Sequence, residues 1–281
     1  MVMTQPDTLV IGPMRTGTTW MYDYLLARGD VCLPSGVKET FFFDRNYDRG
    51  IKWYKAHFRF CNARRHHRIM EVGPSYFHSL EAPKRILETL GAIRLMVILR
   101  DPVKRSWSHY LHLLSYGYTN APFLEAVRVF PEILDASRYA TQLFRWREVF
   151  GDRIKVLFFE ELDADMEAYC RKLCDKLQLD YLTPAIVAGE RSNPATVPLS
   201  PWLARTGRTM ANALRYRRMY FIVNAAKFFG LKRVFFGHSP ANFPGPGPAE
   251  LEWLITQLQP EVRAMQDEFA EQVSIWRSFH L

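Results

Sequence analysis

Cysteine is scarce. The 281 residues hold four, at 32, 61, 170 and 174, too few for the disulfide framework of a small secreted domain, and no pair has the C-x-x-C spacing of a zinc site. Reduced thiols in a cytoplasmic setting are therefore expected. Cys170 and Cys174, one helical turn apart, read as core residues. The first residues, Met1 to Asp7, lack the basic-then-apolar pattern of a secretory leader, and no stretch approaches about 20 uninterrupted apolar residues. Neither export nor membrane spanning is expected. Gly 15 and Pro 17 are too few for a collagen-like or low-complexity chain. With 48% hydrophobic and 23% charged residues, the sequence suits a globular fold, and its length suits one large α/β domain.

Acidic residues are also missing from one long segment. Between Glu190 and Glu250 there is no Asp or Glu, while Arg191, Arg205, Arg208, Arg215, Arg217, Arg218, Lys227, Lys232 and Arg233 are all basic. The formal charge of +8 is thus local: elsewhere 28 basic residues face 29 acidic ones. Met219 to Val223 and Phe228-Phe229 interleave with the basic residues at 205–233, which suggests a basic, aromatic lid or a peripheral membrane contact on the acceptor side of a site.

The rest of the chain alternates short apolar runs with amphipathic stretches. Strands are expected at 8–12, 68–73, 93–99 and 154–159, and helices at 18–28, 82–90, 103–116, 137–150, 164–179 and 249–273. Apolar strands alternating with helices imply an α/β fold with a central parallel sheet covered on both faces, whose ligands sit at the carboxyl ends of the strands. A single domain over 1–281 is expected, with a core at 8–182, a basic Pro-rich segment at 183–248 and a C-terminal helix at 249–281 packing on that core.

The loop Gly12-Pro-Met-Arg-Thr-Gly17-Thr18-Thr19 has the G-x-x-x-x-G spacing of a phosphate-binding loop between a strand and a helix. The lysine of nucleoside triphosphatases is absent, its place taken by Thr18, and no acidic strand end offers itself to Mg²⁺, which disfavours ATP hydrolysis. Arg15 is the one cation within the loop. Further on, Leu99-Arg-Asp-Pro-Val-Lys-Arg-Ser-Trp-Ser108 places Arg100 at the end of the most apolar strand and Ser108 in the following helix, a guanidinium and a hydroxyl suited to one phosphate.

These two motifs resemble those of sulfotransferases that use 3′-phosphoadenosine-5′-phosphosulfate (PAPS). Arg15-Thr-Gly-Thr-Thr-Trp20 is similar to the family's 5′-phosphosulfate loop, and the Arg100 to Ser108 stretch to its 3′-phosphate motif. The resemblance, nearest to the glycan/heparan-type and bacterial branch, implies that Arg15, Thr16, Gly17, Thr18, Thr19, Trp20, Arg100 and Ser108 bind PAPS and that the fold is P-loop-like. Lys38-Glu-Thr-Phe-Phe-Phe resembles the family's Lys-Glu-x-x-Phe-Phe region, which implies Glu39 as general base with Lys38 beside it, and no metal. Carboxylate burial against Phe41, Phe42 and Phe43 would raise its pKa.

Glu71-Val-Gly-Pro-Ser-Tyr-Phe77 resembles the family's Glu-Lys-(Ser/Thr)-Pro-x-Tyr-Phe, but with Val72 in place of the lysine, so Arg15 and Lys38 would have to suffice at the leaving phosphate. Trp276 resembles a closing aromatic. The implied reaction is sulfuryl transfer to a hydroxyl of a carbohydrate or small-molecule acceptor, on which Phe41, Phe42, Phe43, Trp53 and Tyr76 could stack. No histidine fits the role of base by its context, and the spacing of His109 and His112 would also suit a metal. The alternatives are a small-molecule kinase, which would need Mg²⁺ and ATP, and a nucleic-acid or acidic-membrane binder using Arg205 to Arg233. No specific nucleic acid partner is expected.

Overall fold

Five parallel strands form the centre of the molecule, in the order β2-β3-β1-β4-β5. The computed structural model describes residues 5–62, 64–184 and 244–279, with the short strands at 196–198 and 236–240. The sheet comprises β1 (Thr8–Gly12), β2 (Val31–Cys32), β3 (Arg68–Val72), β4 (Arg94–Leu99) and β5 (Ile154–Phe158). The chain leaves β1 for β2 and β3 on one side, then crosses to β4 and β5 on the other. The carboxyl end of β1 is therefore the point where strand order reverses, the place where sheets of this kind form a ligand crevice.

Alternation along the strands explains the two-sided cover. Leu9 and Ile11 of β1 and Leu95, Val97 and Leu99 of β4 join one buried cluster, with Trp146, Phe158 and Trp276. Val10, Met96 and Ile98 point the other way, to Met21, Tyr24, Leu25, Tyr169 and Leu173. The second face is covered by α1 (Thr18–Ala27) and α10 (Met166–Leu177), and the first by α4 (Ala82–Leu90) and α8 (Tyr139–Phe150). A third cluster joins α5 (Pro102–Ser115), α6 (Phe123–Val129) and the final helix, α11 (Pro248–Val273).

Several expectations need correction. The helix expected over 164–179 is α10, and an unexpected short helix, α9 (Phe159–Ala164), precedes it directly after β5; Asp165 between them caps α10 by accepting from the Ala168 amide at 3.0 Å. The stretch after Glu39 forms two short helices, α2 (Phe42–Arg45) and α3 (Gly50–Lys55). A short helix, α7 (Glu132–Asp135), precedes α8. Cys32 and Cys61 are not reduced thiols: they form a disulfide, with Cα atoms 5.6 Å apart. The turn after α3 brings the chain back beside β2, a proximity that a separation of 29 residues hides. Cys170 and Cys174 are free and buried, as expected. The basic segment 205–233, read as a lid or membrane contact, lies outside the described residues. Among the described residues no helix is long and apolar enough to cross a membrane.

Candidate active site

Two glycines shape the loop after β1. Gly12 has φ +113° and a Cβ there would lie 2.2 Å from the Pro74 carbonyl oxygen. Gly17, at φ +84° just before α1, would place a Cβ 2.7 Å from the Phe159 ring. Side chains are thus excluded from both ends of the loop. Between them the Thr16 hydroxyl donates to the Pro13 carbonyl at 2.8 Å, and Arg15 takes a left-handed φ of 74°.

Arg15 is the meeting point of the two expected phosphate motifs. Its Nε donates to Ser108 Oγ at 3.1 Å, and its carbonyl accepts from Arg100 Nη1 at 3.0 Å. Arg100 lies with its guanidinium carbon 4.7 Å from the Phe159 ring centre, and its own carbonyl accepts from the Tyr139 hydroxyl at 2.8 Å. Burial lowers the Arg15 pKa, and the nearby Arg100 charge acts in the same direction. Neither guanidinium has an ion pair with a carboxylate among the described residues. Such half-buried, unneutralised cations are suited to an anionic ligand.

Lys38 and Glu39 reach the same edge from the loop after β2. Lys38 Nζ donates to Thr19 Oγ1 at 2.8 Å and stands 3.6 Å from Glu39 Oε1. One ammonium therefore bridges the phosphate loop and the candidate base. Burial raises the Glu39 pKa against the opposing charge of Lys38, with Glu71 adding to the rise. Burial lowers the Lys38 pKa, opposed by Glu39. Val72 is fully buried in the core, so nothing at that position faces the ligand edge.

A family model described as "Sulfotransferase domain" matches residues 5–184, more than half of the chain. The chain belongs to the sulfotransferase family. It is 34% identical over 164 residues to a human protein named bifunctional heparan sulfate N-deacetylase/N-sulfotransferase 3, covering 52% of this chain and 19% of that one. It is 36% identical over 106 residues to membrane-associated sulfotransferase kil1 of Dictyostelium discoideum, covering 37% and 22%. The match thus spans about a fifth of the length of these relatives. The solved sulfotransferase of Alicyclobacillus acidocaldarius shares the fold, with a TM-score of 0.67 at 18% identity over 98% of this chain and 99% of that one.

In this sulfotransferase the structure also supplies residues that sequence reasoning passed over. Arg105 is fully buried. Its Nε donates to Ser137 Oγ at 2.5 Å and its Nη2 to the carbonyls of Ile133 and Glu132. It has no carboxylate ion pair among the described residues, and burial brings its pKa down to about 10. Phe159 packs against both Gly17 and Arg100. Its place at the end of β5, on the ligand edge of the sheet, was the available signal.

The corner holding Arg100 is itself pinned. Asp101 Oδ1 accepts from the Val103 and Lys104 amides at the start of α5, and Oδ2 from the Ser278 hydroxyl at 2.7 Å. Glu160 accepts from the Asp101 amide at 2.9 Å and from Trp276 Nε1 at 3.3 Å.

Burial makes His78, His109 and His112 harder to protonate. Burial lowers the His112 pKa to about 3, with Arg15 and then Lys38 adding to the effect, and that of His78 to about 4. Among the described residues no cluster suits a metal, His109 and His112 included. Of the aromatics expected to stack on an acceptor, Phe42, Phe43 and Tyr76 are instead buried in the core; their rings pack on one another and on Tyr54. Phe41 and Trp53 are only partly buried. Trp20 stacks on Tyr24 at 5.5 Å, and its indole Nε1 is buried with no hydrogen-bond partner among the described residues.

Proposed function

We propose that this sulfotransferase moves the sulfuryl group of PAPS to a hydroxyl of a carbohydrate or small-molecule acceptor, with Glu39 as general base. The observation that carries the reading is the pair of bonded sets Arg100–Arg15–Ser108 and Thr19–Lys38–Glu39, both anchored on the loop after β1 at the carboxyl end of the sheet. Arg100 and Ser108 suit a terminal phosphate, and Arg15 with Thr19, Lys38 and Glu39 a transfer centre.

PAPS is consumed as a substrate: it supplies the electrophilic sulfur, and the S–O bond that breaks leaves its electron pair on the 5′-phosphate oxygen. Arg15 and Lys38 provide the positive charge that offsets this, in surroundings where such charge acts strongly. Glu39 takes the acceptor proton as the acceptor oxygen bonds to sulfur. His112 and His78, with pKa values lowered to about 3 and about 4, are weaker bases than a carboxylate whose pKa is raised. The names of the relatives point to a carbohydrate acceptor, so an amino sugar belongs beside hydroxyl acceptors in any screen.

The test is transfer of labelled sulfur from PAPS to a glycan and small-molecule panel in the presence of chelator. Transfer that Glu39→Gln abolishes, while 3′-phosphoadenosine-5′-phosphate still binds, supports the reading. Phosphate transfer from ATP that requires Mg²⁺ would replace it with a kinase.

A further inference from the structure

Glu71, on β3 beside the loop that carries Glu39, has no exposure at all. Four donors converge on it. Oε1 accepts from the Thr40 amide at 3.0 Å, the Thr40 hydroxyl at 2.6 Å and the Tyr76 hydroxyl at 2.9 Å; Oε2 accepts from the Tyr54 hydroxyl at 2.8 Å. These donors come from the loop carrying Glu39, from α3 and from the loop after β3. A buried carboxylate is costly unless its lone pairs are filled: burial raises the Glu71 pKa, and the hydrogen bonds from Thr40, Tyr54 and Tyr76 oppose that rise.

The network continues into the turn after Glu39. The Phe42 amide donates to Thr40 Oγ1 at 3.2 Å and to the Tyr76 hydroxyl at 3.1 Å, and Asn46 Nδ2 donates to the Thr40 carbonyl at 2.9 Å. Phe41 between them takes a left-handed φ of 51°, which a non-glycine residue holds only when its neighbours over-determine it. Thr40 is thus tied through amide, hydroxyl and carbonyl, and Glu39 is the residue immediately before it.

We propose that Glu71 is a positioning residue for the general base: its buried carboxylate anchors Thr40 and so fixes Glu39 beside Lys38 and the phosphate loop. This rests on the proposed role of Glu39. It also gives the Glu71 to Phe77 segment a function that does not need the missing lysine at 72. Glu71 itself does not reach the ligand edge, and its effect is transmitted through one backbone.

The experiment compares Thr40→Val, Thr40→Ser, Tyr54→Phe and Glu71→Gln with the wild type. It measures transfer kinetics, the dissociation constant for 3′-phosphoadenosine-5′-phosphate, and hydrogen exchange of the amides at 38–46. Thr40→Val is expected to lower kcat by about tenfold or more, since small misplacements of a reacting group carry penalties of that order. Its nucleotide affinity should stay within about twofold, and exchange at 38–46 should accelerate. Thr40→Ser, which keeps the hydroxyl, should restore both kcat and protection.

Should Glu71→Gln fail to fold, Tyr54→Phe keeps the ring, removes one donor and should show a smaller change in the same direction. Folded Thr40→Val with wild-type kcat and wild-type exchange would overturn the proposal. So would a loss of nucleotide affinity equal to the loss in kcat. If the wild type transfers sulfur but Glu39→Gln does so equally well, the base assignment fails; the exchange data would still report whether Glu71 anchors the loop.

Discussion

Arg15 Nε donates to Ser108 Oγ at 3.1 Å across 93 residues of sequence, and this bond joins the loop after β1 to the helix after β4. Two motifs that are separate in the chain are side by side in the fold. Arg100, through its bond to the Arg15 carbonyl, completes it.

Ser108→Ala should therefore weaken binding of 3′-phosphoadenosine-5′-phosphate by about 1 kcal/mol, the net worth of one hydrogen bond. Arg100→Ala should cost on the order of 2–3 kcal/mol, as expected for a charge-assisted contact. Isothermal titration calorimetry measures both. Equal, negligible effects would separate these residues from the phosphate.

The acid side of the pH–kcat profile should report Glu39. The base works when ionised, and burial raises its pKa against the facing charges of Lys38 and Arg45, with Glu71 adding to the rise. Activity should thus fall as pH drops through a value above the ordinary carboxylate range of about 4.3. Lys38→Met removes the largest opposing charge, so the limb should move to higher pH. A limb that stays in place would show that Lys38 does not act on the base.

Much of this arrangement was legible before the fold. The continuous apolar runs at 8–12 and 93–99 mark strands buried on both faces, which enter different clusters, and a glycine-bounded loop after the first strand marks the ligand edge. The two-residue β2 was too short to show any period, and α2 and α3 lie in an aromatic-rich stretch with no long helical repeat. Phe42, Phe43 and Tyr76 read as acceptor contacts because composition does not reveal which side of a loop faces the core. Glu71 went unassigned for a related reason. Its partners Thr40, Tyr54 and Tyr76 converge only once β3 lies beside the base loop.

The disulfide closes the segment that contains Lys38, Glu39 and Thr40. Replacing both Cys32 and Cys61 by Ser should lower stability by about 3 kcal/mol, the order expected for a loop of this length. Denaturant titration measures it. Alkylation of the unreduced, unfolded protein should label only Cys170 and Cys174. Labelling of all four would contradict the bridge.

The C-terminal turn should matter to the Arg100 corner. Trp276 is fully buried and its indole N–H reaches Glu160, which also holds the Asp101 amide. Trp276→Ala should destabilise by about 3–5 kcal/mol through the cavity it leaves. Trp276→Phe should cost less, because it keeps most of the ring and loses mainly the hydrogen bond. Thermal unfolding of the two variants distinguishes packing from the polar contact.

The central claim is that Glu39 accepts the acceptor proton while the Arg15, Arg100 and Ser108 group holds the donor. Its most direct test is single-turnover transfer of labelled sulfur from PAPS by wild type and Glu39→Gln in the presence of chelator, with 3′-phosphoadenosine-5′-phosphate binding measured on the same samples. The account predicts chelator-resistant transfer by the wild type, loss of about 10²-fold or more in the variant, and unchanged nucleotide affinity. Wild-type transfer rates in Glu39→Gln would contradict it.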